Sequence, residues 1–550
     1  MNFSHALNAP PSMMNLLSNT WRRLFSPLLL TGATCVAQTP QLVLDIVPGP
    51  GSSQMTFSAV LGDAVLFANN TPEFGNELWR TDGTAAGTYL VKDIWPGISS
   101  SNLRGLTTVG DHVYFSAWDG TNGTELWKSD GTEAGTTMVA DLAPGSNSTF
   151  PQHITEANGG FYFSANGLYW SDGTESGTMQ VSPVNVEFGS GSYPSLLTVM
   201  NDMVYFVSSD AENGSEIWHS DGTAEGTTLL KDINWGDPSS YPGQFTVVGD
   251  LLYFKATDMN GTELWRTDGT EVGTWMAKDI NEGPANGDPF NLTAFNDQLV
   301  FSATTAATGR ELWVSDGTEI GTVLVSEISA GPAGGVLAGF AVANDRVFFP
   351  GSDVAGGLGM ELYAYDGSAI ALVKDINPGV DSSLVSPFLA ACGGMVFGAN
   401  DGVTGNELWY SDGSEGGTFL LGEIEEGTGP FGPIRPFAAL SNAVILSAST
   451  AATGYEPFVS FCGTVGLEAL QRMTDLRMHP NPAKERFTIE LPETSGAWTV
   501  TVYDATGKCM LVERSTARTL SVDAGAWGSG LYYVVANNGS TRVTNRLVVE

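Results

Sequence analysis

Short apolar runs broken by clusters of Gly, Asp, Asn and Thr recur along most of this chain. Between Leu106 and Leu142 four such runs follow one another: "LTTVG", "HVYFSAW", "TELWKS" and "TTMVADL". Their length and partial alternation predict strands, here named A to D. Gly110-Asp111 joins A to B, and Asp130-Gly131-Thr132 joins C to D, with residue types that accept the positive φ of tight hairpins. Strand B is often apolar without interruption, as in "LLYF" from Leu251 and "RVFF" from Arg346. A strand of that kind is covered on both faces, which happens when small sheets stack face to face.

The four-strand unit repeats. Aligned on the aromatic of "ELW", the equivalents are Trp79, Trp127, Trp170, Trp218, Trp265, Trp313, Tyr363, Trp409 and Phe458, with a spacing near 47 residues. A strand-D signature, Asp or Glu followed by an apolar residue and later Gly, begins at Asp45, Asp93, Asp141, Asp232, Asp279, Glu327, Asp375 and Glu423, with a degenerate form near Val181. The first D strand, "QLVLDIVPG" from Gln41, precedes any A strand, and the last A–B–C set, ending "GYEPFVSFCGT", has no D strand after it. A solenoid would leave both ends as open sheet edges. A ring in which the N-terminal strand completes the last sheet leaves neither. The expectation is an all-β, nine-bladed β-propeller of four-stranded sheets, or eight blades if the degenerate last unit forms none.

The recurring "ELWKSDGTEAGT" pattern, from Gln41 to Gly466, resembles the ELWxxDGT-repeat proteins, a group of secreted bacterial proteins. The resemblance implies export and supplies no catalytic residue. After Gly466 the period stops, and strands are expected at "RFTIEL", "WTVTVYD", "CMLVER", "LYYVVAN" and "TRVTNRLVV", as in a small antiparallel β-sandwich. Pro480-Asn481-Pro482, the "VYDATGK" turn with Gly507, and Gly530-Leu531-Tyr532 resemble the type A sorting domain of the type IX secretion system. That resemblance implies passage through the periplasm, engagement of the type IX secretion machinery, and release or attachment at the cell surface. The chain ends "RLVVE", where that family often ends on Lys.

At the N-terminus Arg22 and Arg23 precede "LFSPLLLTGATCVA", which reads as a signal peptide cut between Ala37 and Gln38. The expected organisation is therefore 1–37 leader, 38–466 repeat array and 467–550 sorting domain. No later segment reaches ~18 consecutive apolar residues, so no membrane span is expected. With 60 acidic and 23 basic residues the formal charge is −37, a field that repels a phosphate backbone and argues against nucleic acid. The same charge serves solubility, and leaves cation binding open.

Four cysteines (Cys35, Cys392, Cys462 and Cys509) form no CxxC pair, and five scattered histidines form no HExxH, so no metal ligand set is assigned. Cys392 and Cys462 are a candidate disulfide between neighbouring units after export. The Glu before each Leu-Trp is read as an acceptor for backbone N–H groups of its own B–C loop. Oxygen-rich B–C stretches such as "WDGTNGTE" and "DGVTGNE" read as turns, with calcium the open alternative. No GxSxG is present and no acid pair stands out, so no catalytic residue is assigned and the chain leans away from an enzyme. The D–A loops are the longest and most varied, and variable loops on a repeated scaffold are the expected binding surface. Trp95, Trp118, Tyr193, Trp235 and Tyr241 are its candidate contacts with an extracellular glycan or protein. The alternatives are a polysaccharide hydrolase or lyase, and a passive surface-layer component.

Overall fold

The computed structural model describes residues 35–37, 40–181, 194–424 (without 237, 338, 386 and 423), 434–464 (without 451) and 476–549 (without 485, 492–497, 505–508, 526 and 538–541). The leader upstream of Cys35 thus lies outside the described residues, as do Gln38 and Tyr193. Cys35–Ala37 is a strand. Two compact units are present, Cys35–Gly463 and Thr464–Glu550.

Among the described residues the first unit is nine antiparallel sheets in chain order, with A strands beginning at Gln54, Arg104, Gln152, Ser195, Gly243, Phe290, Ala341, Phe388 and Arg435. Sheet two is representative: A is Arg104–Val109, B is His112–Trp118, C is Thr124–Ser129 and D is Thr137–Ala140. Sheet nine has A at Arg435–Ala439, B at Ala443–Thr450 and C at Gly454–Thr464. Its fourth strand is Gln41–Leu42, with Leu42 opposite Phe458 just as Leu90 lies opposite Trp79 in sheet one. Cys35–Ala37 also pairs with the C strand of sheet nine.

Strand B is buried on both faces, as its unbroken apolar sequence predicts. Val113, Phe115, Ala117 and Trp127 of sheet two pack on Leu66, Leu78, Val91 and Ile94 of sheet one. Tyr114, between them in sequence, joins Phe161 and Phe163 of sheet three. The recurring Trp therefore fills space between sheets. The A strands of sheets one to six lie beside one another in order, as do those of seven to nine, and the A strand of sheet nine lies beside that of sheet one. Gly339, ahead of sheet seven, donates to Asn291 Oδ1 of sheet six at 3.4 Å.

The A–B turns follow their sequence. In Gly62-Asp63, Gly110-Asp111 and Gly249-Asp250 only the Gly has positive φ, whereas in Asn201-Asp202, Asn296-Asp297 and Asn344-Asp345 both residues do. These are the demands of type II′ and type I′ hairpins respectively. The C–D turns of sheets one to six and eight are closed hydrogen-bond circuits, whereas in sheet seven Asp366 Oδ1 accepts from Ser368 and the Ala369 amide. In sheet two Asp130 Oδ1 accepts from the Thr132 amide (2.9 Å) and hydroxyl (2.7 Å), the Gly131 amide donates to Ser129 Oγ (3.0 Å), and Thr136 Oγ1 donates to the Thr132 carbonyl (2.7 Å). Lysines on the D strands of sheets one, four and seven tie the turn of the next sheet to their own: Lys92 Nζ donates to the Thr136 carbonyl (3.0 Å), Lys231 Nζ to that of Thr274 (2.6 Å) and Lys374 Nζ to that of Thr418 (2.9 Å).

One position in the repeat needs correction. Phe115 faces Trp127 and Phe206 faces Trp218, but in sheet three Phe163 faces Tyr169, not Trp170. Trp170 pairs with Tyr162, in the place of Lys128. Aligning by residue type slipped there by one; aligning on Asp172-Gly173-Thr174 places Tyr169 correctly.

The second unit is a three-stranded sheet (Arg477–His479, Arg486–Glu490, Thr519–Asp523) and a four-stranded one (Cys509–Ser515, Trp498–Asp504, Gly530–Asn537, Arg542–Val549). Phe487, Ile489 and Val522 of the first share one core with Val500, Val502, Val534 and Leu547 of the second. Asn481 Oδ1 accepts from the Val548 amide (2.9 Å), and the Tyr532 hydroxyl donates to the Gly528 carbonyl (2.7 Å). Pro480 and Pro482 both follow cis peptide bonds. Gly530 opens a strand, and Gly507 lies outside the described residues.

Candidate binding face

Antiparallel order puts the A–B and C–D turns at one end of every sheet and the B–C and D–A loops at the other. The loop end is organised by the repeated Glu, and its partner differs from the expected one. Glu77, on strand C of sheet one, accepts not from its own B–C loop but from the D–A loop that follows, at the amides of Ile94 (2.8 Å) and Ser101 (3.0 Å) and the Ser101 hydroxyl (2.6 Å). Those donors lie 17 and 24 residues further along the chain. Glu125 holds Leu142 and Thr149, and Glu216 holds Ile233 and Ser240, in the same way. The N-terminal segment is held likewise. Glu456 of sheet nine accepts from Ile46 (3.0 Å), Val47 (3.3 Å) and Ser53 (3.1 Å).

Every one of these carboxyls is buried. Burial pushes Glu77, Glu216 and Glu263 up to about 7, against hydrogen bonds that pull them down. The turn aspartates shift the opposite way: at Asp130, Asp221, Asp268 and Asp316 the neighbouring Thr hydroxyl lowers the carboxyl below its usual range.

On these clamped loops the candidate aromatics divide. Trp95 and Trp118 lie ring to ring, 4.4 Å between centroids, and both are half-buried. A Cβ at Gly120, which has φ +83°, would come within 2.5 Å of Trp95 Nε1, so the pair is packed against the B–C turn rather than free. Trp235 is 90% exposed and Tyr241 is 69% exposed. Their loop is nonetheless fixed: Gly236 N–H bonds Asp232 Oδ2 (3.0 Å), Asn234 Nδ2 bonds the Ser239 carbonyl (3.2 Å), and Tyr241 N–H bonds the Ser215 carbonyl (3.2 Å).

Tyr241 has φ +48°, a left-handed conformation that costs a bulky residue free energy. At the matching places Asn102 (φ +51°) and Asp288 (φ +44°) tolerate it more readily, whereas Phe150 (φ +51°) and Leu384 (φ +54°) do not, and all three large residues are exposed. Ile98, Met259, Val354, Val380 and Val403 are further exposed apolar side chains on this end of the sheets. Val272 and Ile320 are exposed on the C–D turns, and Val60, Tyr89, Met179 and Val323 are exposed at the strand ends beside the turns. Trp235 and Tyr241, named from the sequence by type, are exposed. Phe150 and Leu384 were not named, and their signal was a bulky residue where other units carry Asn or Asp.

The oxygen-rich loops satisfy themselves. Asp119 Oδ1 accepts from the amides of Thr121 and Asn122 (2.8 Å each), and Asp401 Oδ1 from those of Val403 and Thr404 (2.8 and 2.7 Å). Among the described residues no group of three or more His, Cys, Asp or Glu is arranged to hold a metal. A cavity of about 450 Å³ opens at the other end of the sheets, between Arg80, Asp111 and Asp130, away from the candidate aromatics.

Cys392 and Cys462 are joined, with Cα atoms 5.0 Å apart, linking the A–B turn of sheet eight to the C strand of sheet nine.

Residues 477–550 match the family described as secretion system C-terminal sorting domain, which indicates a secreted or cell-surface protein that engages a secretion machinery. No curated protein matches the chain. Among solved structures it is similar to a puromycin hydrolase (17% identity, TM-score 0.33, covering 63% of this chain and 59% of that one). It is also similar to a puromycin-hydrolyzing peptidase of Mycobacterium tuberculosis (10%, 0.35, 63% and 57%) and a prolyl endopeptidase (12%, 0.39, 74% and 54%). The chain thus spans little more than half the length of these proteins, and likeness at this level bears on neither activity nor site.

Proposed function

We propose that this is a secreted or cell-surface binding protein of the ELWxxDGT-repeat kind. It is exported through the type IX system after loss of residues 1–37, and its nine sheets close into a propeller. Closure is supported by the N-terminal strand standing in as the fourth strand of sheet nine, and by Glu456 gripping residues 46–53 as Glu77 grips 94–101. The face formed by the D–A and B–C loops engages an extracellular glycan or protein. The observation that carries this is Trp235 and Tyr241, exposed side chains on a hydrogen-bonded loop. Aromatic faces presented at low entropic cost are what sugar rings and peptide side chains stack on.

The test is a polysaccharide, glycan and protein-ligand panel on the exported protein, with calcium and then with chelator. Saturable binding lost in Trp235→Ala and Tyr241→Ala, with thermal stability unchanged, is the expected result. Binding that survives both substitutions places the ligand elsewhere. Trp118→Ala is a poor substitute here, because it would also unseat Trp95.

A further inference from the structure

The two bonded cysteines occupy positions that the rest of the repeat reserves for other residues. Cys392 is the first residue of its A–B turn and has φ +58°, with Gly393 at +70°. In that place other sheets carry Gly62, Gly110, Asn158, Asn201, Gly249, Asn296 and Asn344, all types that accept a left-handed backbone. A Cys there carries a backbone cost with no local return. Cys462 follows Phe458 by four residues, as Gly131 follows Trp127, so it stands where the Gly of Asp-Gly-Thr would be.

Those turn glycines face the preceding sheet. A Cβ on Gly131 would meet Leu61 and Leu66, and one on Gly173, Gly222 or Gly269 would meet the hydroxyl of Tyr114, Tyr162 or Tyr205. At Cys462 the same direction leads to Cys392 of sheet eight. Sheet nine alone ends its C strand without an Asp-Gly-Thr or Asp-Gly-Ser turn. It therefore lacks the Asp-centred hydrogen bonds of the other C–D turns, and the D strand of sheet eight, Thr418–Gly422, carries no lysine to reach across.

We propose that the Cys392–Cys462 disulfide is a redox-dependent lock that replaces this missing turn and fixes the closing sheet only after export. The inference rests on the closed-ring reading above. In a reducing compartment both are thiols, and sheet nine has no covalent tie to sheet eight beyond the chain itself. Outside it, the Cys392 thiolate attacks a disulfide of an oxidant protein, releasing one of that protein's thiolates. The Cys462 thiolate then attacks Cys392 Sγ in the mixed disulfide and expels the second. Two thiols are oxidised and the oxidant leaves as a dithiol. After cleavage behind Ala37, Cys392 and Cys462 are the cysteines left in residues 38–466, so the pairing has no competitor within the array.

Hydrogen exchange on the full exported chain, with and without dithiothreitol, tests this. Amides of Ile46, Val47 and Ser53 report on closure, and those of Ile94 and Ser101 are the internal control. Reduction is expected to speed exchange of the first group by about tenfold or more while leaving the second unchanged. The double variant Cys392→Ser/Cys462→Ser should match the reduced protein and ignore dithiothreitol. Equal protection of residues 46–53 in both redox states, or free thiols at both positions in the exported protein, overturns the lock and leaves closure standing. Acceleration of both groups alike also overturns it, since the bond would then be a general brace. No protection of residues 46–53 even in the oxidised protein sinks the closed ring itself.

Discussion

The two ends of the sheets are built on opposite plans. At the turn end, Asp130-Gly131-Thr132 and its counterparts repeat one circuit with nearly one set of distances, and each turn satisfies its own donors and acceptors within eight residues or so. At the loop end, the D–A segments differ in sequence, and a carboxyl reaching from another strand grips them beside their own local bonds. A turn that satisfies itself has no spare chemistry for a ligand. A loop gripped from behind by a buried Glu can change its outward side chains freely, since the grip falls on backbone amides. Uniformity and variety are divided here between opposite ends of the same strands.

Substitutions can break that division, and the largest effect is expected at a clamp. Glu216→Ala leaves the Ile233 amide and the Ser240 hydroxyl without their acceptor, at about 1–3 kcal/mol each, while the Ser240 amide keeps the Ser215 carbonyl, so a loss of roughly 3 kcal/mol is expected in urea unfolding. A loss below about 1 kcal/mol would mean that the loop holds its shape unaided.

Acidity sharpens the contrast next. Carboxyls raised by burial, such as Glu77 and Glu216, contribute stability that is full below their unfolded value and is lost as pH rises through about 7. The lowered turn aspartates contribute stability above their unfolded value, lost as pH falls through their folded one. The melting temperature should therefore peak near about pH 5, falling on both sides. A steady rise from pH 5 to 8 would show that the clamp carboxyls are charged throughout.

Asp130→Ala, at an exposed turn, should cost only about 1 kcal/mol in the same unfolding assay. Smallest of all, Trp235→Ala should change stability by less than about 0.5 kcal/mol while it removes ligand binding. A stability loss as large as that of Asp130→Ala would place Trp235 in the scaffold.

Much of this was legible because it is local. Strand lengths, turn types and the phase mismatch between Gln41 and Gly463 are all properties of neighbouring residues, and they led to four-stranded sheets with the N-terminal strand in the last. The Glu partners were not legible, since a carboxyl bonding to amides 17 and 24 residues away leaves no mark in periodicity. The slip at Trp170 came from trusting residue type over turn position. Trp95 and Trp118 resemble Trp235 in sequence context, and only packing tells the half-buried pair from the exposed platform.

The reach of the clamp also bears on how such a chain changes length. Each Glu and the loop it grips straddle the junction between one unit and the next. Excising or duplicating one whole period, with the cuts outside sheet three, where Gly167 stands in place of the Glu, therefore returns each Glu to a loop of the same form. Glu456 and Ile46 are the exception, because their partnership joins the two ends of the array and must be kept whatever happens between them. Recombination is free to alter the number of units, while the first and last units stay put as a matched pair.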